Sequence, residues 1–181
     1  FDQEHAAFLS ILGLCNNLNE NSCFKNIEFH FLSSAGGLYE GQRMVDYQSL
    51  PAPKRPYGRA KLRQEQTLRA CNDSINVSVY RPSTVYGFHA GTGRQGLVIK
   101  LMKCLLNGQT TTIYGRPYTL RDYITSRDVG QFIAHKVGHA KKSKFAEYIL
   151  ASGKPTSLME IVLLVEEIFQ RRALIRYSLD A

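Results

Sequence analysis

Apolar and polar positions alternate in two different rhythms along this chain. Residues from Gln3 to Leu18 read as a helix, with the element spanning about 3 to 19. The run Ile27-Glu28-Phe29-His30-Phe31-Leu32 is apolar and rich in β-formers. It stops at Ser33-Ser34-Ala35-Gly36-Gly37, as a strand feeding a loop does. Pro56 then opens a helix over 57 to 72, Asn76 to Arg81 reads as a second strand with its exit loop through Gly87, and a further helix covers 96 to 106. Such alternation predicts a parallel sheet with crossover helices. Between strand 27 to 32 and helix 57 to 72 lies a long loop holding Pro51, Pro53 and Pro56, which would carry Ser33 and Ser34 towards Tyr57. Loops of that length inside compact domains are often functional. After 107 the order is less regular, with short strands at 111 to 114 and 118 to 124, a helix at 127 to 138, and a strand from Tyr148 to Ala151. Ser157-Leu158-Met159-Glu160 is a capping box that opens an amphipathic helix through Phe169.

The helix at 57 to 72 carries the chemistry. Tyr57 and Lys61 are four residues apart and share a face, so the ammonium sits near the phenol. A free phenol has a pKa of about 10 and is ionised to only ~0.1% at pH 7, and a neighbouring cation stabilises its phenolate. Such a tyrosine can act as acid or base. The same spacing also describes a packed Tyr beside a solvated Lys, so the neighbouring motifs have to decide.

Four of them lie in order between positions 27 and 124. They are the Ser33-Ser34 strand end, Pro56-Tyr57-x-x-x-Lys61, Arg81-Pro82-Ser83-Thr84-Val85-Tyr86-Gly87, and Arg121-Asp122-Tyr123-Ile124. Together they resemble the extended short-chain dehydrogenase/reductases, in the branch of NAD-dependent sugar-nucleotide epimerases and dehydratases. The resemblance implies an α/β, Rossmann-like, doubly wound parallel sheet with a smaller α+β substrate lobe. Residues 1–95 would form the later part of the dinucleotide-binding domain, and 96–181 mainly the sugar-nucleotide lobe, with segments returning to the sheet. The chain begins inside a helix with no glycine-rich turn before it, so the expectation is a fragment, itself inactive, lacking about three strands of the nucleotide half and its carboxyl-terminal end.

By the same resemblance, Tyr57 exchanges a proton with a sugar hydroxyl while nicotinamide takes or returns hydride, and Lys61 binds the nicotinamide ribose. The family's third member is a hydroxyl residue four, or in a variant two, positions before the Tyr of the V-Y-G turn. Counting back from Tyr39 gives Ala35 and Gly37, neither of which has a hydroxyl. Ser34 is adjacent and serves if Glu40 marks a shifted turn. Ser33, Pro82 and Val85 would contact the cofactor, NAD with NADP as the alternative. Leu97, Val98, Ile113 and Arg121 would line the nucleotide-sugar site, Arg121 on the diphosphate, where a planar guanidinium suits bidentate contact. A surface Arg121 paired with Asp122 or Asp128 is the plainer reading.

Composition adds limits. The 181 residues are 44% hydrophobic, enough for a sizeable core. A net charge of +8 would ordinarily raise nucleic acid as a partner, but the basic residues are scattered, the densest cluster being Lys141-Lys142-Ser143-Lys144. Neither nucleic acid nor membrane is expected. No apolar run reaches the ~18 residues of a membrane span, and a cytoplasmic enzyme, homodimeric or not, is the expectation. Cys15, Cys23, Cys71 and Cys104 lack C-x-x-C spacing and read as reduced thiols, and Asn72-Asp73-Ser74 and Asn76-Val77-Ser78 are sequons without weight in such a protein.

Gly91-Thr92-Gly93-Arg94-Gln95-Gly96 fits a dinucleotide loop in spacing, yet no strand ends before it, and it reads better as a substrate-side loop. His135 and His139 have zinc-helix spacing without the glutamate that would activate water, so no metal is expected. The function expected is an NAD(P)-dependent epimerase, dehydratase or reductase of a nucleotide-linked sugar, an isomerase, lyase or oxidoreductase of carbohydrate biosynthesis. A non-catalytic relative acting as sensor or scaffold is the alternative that Ala35 and Gly37 motivate.

Overall fold

The computed structural model describes residues 2–20, 27–71, 75–87, 96–137 and 143–179. In chain order its elements are α1 (Asp2–Glu20), β1 (Glu28–Leu32), α2 (Ala35–Leu38), α3 (Pro56–Ala70), β2 (Asn76–Pro82), β3 (Thr84–Tyr86) and α4 (Leu97–Leu106). Then follow β4 (Thr111–Tyr114), β5 (Leu120–Thr125), α5 (Ser126–Lys136), β6 (Phe145–Leu150), β7 (Pro155–Ser157), α6 (Leu158–Phe169) and β8 (Ile175–Ser178). They divide into two units, one of Phe1–Ser83 with Lys136–Leu150 and one of Thr84–His135 with Ala151–Ala181. Residues 91–95 of the glycine-rich loop, His139, Lys141, Lys142, Cys23 and the sequon at Asn72 lie outside the described residues.

In the first unit β1, β2 and β6 form a parallel sheet with β2 in the middle, Phe31 opposite Val79 and Val79 opposite Glu147. The expected pairing of strands 27–32 and 76–81 is therefore parallel, as read. Strand alternation sends Phe29, Phe31, Val77, Val79 and Phe145 to one face. There they meet Phe8, Leu12 and Cys15 of α1 and Leu68 of α3 in a single apolar cluster. The helical residues recur at the three- and four-residue spacing of one stripe. On the opposite face the rings of His30, Tyr80 and Tyr148 stack, at 5.9 Å and 5.5 Å between centroids. His30 there links Tyr80, at 2.9 Å from the phenol oxygen, to Glu28, at 3.0 Å.

β2 is buried on both faces and nonetheless carries Arg81. Its guanidinium donates to Glu65 of α3, from Nε at 3.1 Å and from Nη2 at 2.6 Å, and to the Tyr39 hydroxyl at 2.8 Å. Glu147 of β6 also pairs with Arg81, and its second oxygen takes Arg69 of α3 at 2.8 Å. Burial works against the charge on Arg81, but the hydrogen bonds and charges of Glu65 and the charge of Glu147 outweigh it and hold its pKa above the ordinary value. Burial likewise pushes the Tyr39 phenol up, against the opposing pull of Arg81. One cation thus ties together the end of α2, the middle of α3, and two strands.

In the second unit β3 and β5 run parallel, β7 joins β5 antiparallel, and β4 pairs in parallel with β8. Leu101 and Leu105 of α4, Ile113 of β4, and Leu158, Val162 and Val165 of α6 form its core. The expected capping box is present, with the Ser157 hydroxyl accepting from the Glu160 N–H and the Glu160 carboxylate accepting from the Ser157 N–H. Unread in the sequence were β3, β7 and β8, all too short to show a period, and dependent on partners distant in sequence. The loop expected after Leu32 instead opens with α2, whose two glycines disguise a helical turn.

We expect Arg81→Met to destabilise the protein by about 3 to 5 kcal/mol, because it strands the Glu65 carboxylate, only 4% exposed. Adding Glu65→Leu should recover a large part of that loss. Urea unfolding of both variants is the check, and equal losses in the single and double variants would contradict it.

Candidate functional site

The amino end of α3 is set by three local devices. Pro56 takes the first helical position, where its missing N–H costs nothing and its φ suits the helix. Glu40 accepts from the N–H groups of Lys54 and Arg55 at 3.2 and 3.1 Å and pairs with the Arg55 side chain at 2.9 Å, closing the loop that precedes the helix. Gly58 then lets α3 approach α2 backbone to backbone. A Cβ at Gly58 would lie 2.1 Å from the Gly37 carbonyl oxygen and 2.8 Å from Pro53 Cβ, so no other residue fits.

That contact lays the Tyr57 ring across α2. A Cβ at Gly37 would meet ring atoms of Tyr57 at 3.2 Å, which means the backbone of residue 37 forms one wall for the ring. A side chain at 37 would have to displace the ring by a few tenths of an ångström. Tyr57 remains 42% exposed. Ser34 caps α2, its hydroxyl oxygen accepting from the Gly37 N–H at 3.1 Å. Its own O–H proton is not consumed by that bond, and can be donated. Ser33 donates its backbone N–H to the Tyr80 carbonyl at 2.7 Å. Its side-chain oxygen is buried without a hydrogen-bond partner among the described residues.

One turn along α3, Lys61 turns inward rather than into solvent, with its side chain 13% exposed. The ammonium lies 5.9 Å from the Tyr57 ring centroid and 5.1 Å from that of Phe31. It donates to Glu4 of α1 at 3.2 Å. Glu4 was not foreseen as a site residue. It lies on the same α1 stripe as Phe8, Leu12 and Cys15, and a carboxylate at the end of an inward-facing stripe was the available signal. The carboxylate partners of Arg81 also went unread, since only the fold brings Glu65 and Glu147 to it.

The remaining candidates are distributed as follows. Pro82 is buried at the end of β2 in the first unit, and Val85 is exposed in the middle of β3 in the second. Within the second unit Ile113 is 2% exposed in the core, Leu97 packs on that core from the start of α4, and Val98 is half-buried. Arg121 is exposed on β5, two residues before the buried Tyr123, whose phenol burial pushes up and Arg121 draws down. Arg121 forms no ion pair among the described residues. The Asp122 carboxylate accepts instead from the N–H groups of Ser152 and Gly153 at 2.9 and 2.7 Å, and from the Ser152 hydroxyl at 3.0 Å. Among the described residues no cluster of His, Cys, Asp and Glu is placed to hold a metal ion, and no helix is long and apolar enough to cross a membrane.

Known proteins share this arrangement of elements. Similar solved structures include MoeE5 in complex with UDP-glucuronic acid and NAD, 26% identical, with a TM-score of 0.77 over 84% of this chain and 51% of that one. The UDP-glucose 4-epimerase of Thermus thermophilus in complex with NAD is 23% identical, with a TM-score of 0.76 over 91% of this chain and 54% of that one. The UDP-N-acetylglucosamine 4-epimerase of Methanobrevibacter ruminantium, 19% identical, gives 0.77 over 97% and 55%. The last two similarities establish the Rossmann-like fold. The chain spans about half the length of these structures. No curated protein matches it. A family model described as the NAD dependent epimerase/dehydratase family matches residues 3–150, well over half of the sequence, and the chain therefore belongs to that family.

Proposed function

We propose that the complete protein is an NAD-dependent epimerase, dehydratase or reductase of a nucleotide-linked sugar, with Tyr57 as the proton-transferring group and Lys61 as its activating cation. The observation that carries this reading is the placement of an enclosed ammonium one helical turn from a solvent-accessible phenol. Family membership supports NAD as cofactor, and the complexes of similar proteins with UDP-sugars support the substrate class.

When bound, NAD supplies the hydride acceptor. This chain's residues fit the nicotinamide end of such a cofactor. Lys61 has donors beyond the one given to Glu4, which suit ribose hydroxyls. Ser33 keeps a buried hydroxyl, at the end of β1, without a partner among the described residues. Pro82, at the end of β2, would add a further cofactor contact. With the hydride acceptor in place, Tyr57 would take up the proton of the sugar hydroxyl on the carbon being oxidised. The Lys61 ammonium stands beside that exchange, 5.9 Å from the Tyr57 ring centroid. In an epimerase the Tyr57 hydroxyl would give that proton back to the sugar oxygen. Ser34 would donate its O–H proton to the sugar oxygen. Arg121, with Leu97, Val98 and Ile113, would hold the nucleotide diphosphate.

The second reading, a sensor or scaffold that binds a nucleotide sugar without turnover, is favoured by Ala35 and Gly37, which leave the usual hydroxyl positions bare.

Tyr57→Phe keeps the ring against Gly37 and removes the transferring oxygen. Turnover of the complete protein should fall by about 10² to 10⁴ with thermal unfolding unchanged; an unaffected rate would remove Tyr57 from the chemistry. Ser34→Ala should cost ~1 to 3 kcal/mol of transition-state stabilisation if its O–H serves the substrate, and steady-state kinetics showing no change would leave the site without that donor. Arg121→Ala should weaken binding of a nucleoside diphosphate sugar by ~1.5 to 3 kcal/mol. Calorimetry giving wild-type affinity would make Arg121 an ordinary surface residue.

A further inference from the structure

The partner that Lys61 has found is the least expected feature of this site. Lysine is long, and ordering its side chain costs rotamer entropy. A lysine on a helix surface ordinarily leaves its ammonium in water. Here it is drawn inward, over Phe31 and beside Tyr57, to a carboxylate on α1 that is 57 residues away in sequence. The two rings attract the cation only weakly and from its flanks. Among the described residues, Glu4 supplies the full negative charge within hydrogen-bond distance of it.

We propose that Glu4 is a positioning residue for Lys61. Its carboxylate takes one N–H of the ammonium and so fixes the nitrogen between the Phe31 and Tyr57 rings, leaving two N–H groups for ribose hydroxyls and the phenol side. Glu4 is half-exposed, with 51% of its side chain accessible, and does not lie on the phenol's own helix. It acts only through Lys61. The inference rests on the catalytic reading of Tyr57 and Lys61 given above.

The competing explanation is a surface ion pair that merely staples α1 to α3. Glu4→Gln and Glu4→Asp in the complete protein separate the two, because Gln keeps size without charge and Asp keeps charge on a shorter arm. Three quantities are read: turnover for a nucleotide sugar, its KM, and the NMR signal of the Lys61 ε-methylene, assigned by its loss in Lys61→Arg. In the wild type this signal should be shifted upfield by the two rings. In Glu4→Gln it should move to the position of a solvated lysine, with turnover down by roughly tenfold or more, KM for the sugar nucleotide unchanged, and Glu4→Asp restoring part of both. A variant that melts earlier while keeping the wild-type Lys61 signal and turnover would overturn the proposal in favour of the staple. A wild-type protein without turnover sinks the catalytic reading, and the Lys61 signal then still decides whether Glu4 places the ammonium.

Discussion

Arg81 brings a permanent positive charge into a buried strand, one residue from the end of β2, and three other elements close on it. Glu65 comes from α3, Glu147 from β6 and the Tyr39 hydroxyl from the end of α2. A charge taken out of water costs several kcal/mol, a cost recovered only where the partners and geometry are right. The pairing therefore tolerates little variation in where α3 lies. An apolar contact between helix and sheet can slide by a fraction of a turn. A guanidinium bonded through two nitrogens to one carboxylate cannot.

The geometry of the site descends from that constraint. With α3 held at Glu65, its first turn meets α2 at the Gly58–Gly37 contact, where the backbones touch and no side chain fits. Tyr57 is then pressed against Gly37 with its face still open, while Lys61, one turn on, is enclosed. The two residues sit on one helix yet occupy different dielectric surroundings. An exposed phenol can meet a substrate, and a sheltered cation beside it interacts more strongly than it would in water. The second unit uses a similar economy on β5. Asp122 is spent on the turn at Ser152 and Gly153, and Arg121 next to it makes no ion pair among the described residues.

The sequence showed the frame of the fold well. Long periodic segments such as α1, α3 and α6, and the apolar strands β1 and β2, could be read because each buries enough of its own length to leave a pattern. β3, β7 and β8 could not, since three or four residues owe their conformation to a partner strand. Tyr57 and Lys61 were visible as a spacing on one helix. Glu4 was not, because nothing local connects α1 to α3, and the same holds for the carboxylates around Arg81. The missing hydroxyl at Gly37 was noticed as a departure from a pattern, and only the fold showed the Tyr57 ring lying beside it.

The most direct test of the central claim, that α3 presents a tyrosine and lysine for hydride and proton exchange with a nucleotide-linked sugar, is spectroscopic. The complete protein, loaded with NAD, would be mixed with a panel of nucleoside diphosphate sugars while the near-ultraviolet absorbance of reduced nicotinamide is followed. At least one sugar should produce that band, transiently or at steady state. If a nucleotide sugar binds by calorimetry, yet none in the panel ever reduces the nicotinamide or is converted, the account of Tyr57 as a catalytic residue is contradicted and the protein is a binding member of its family.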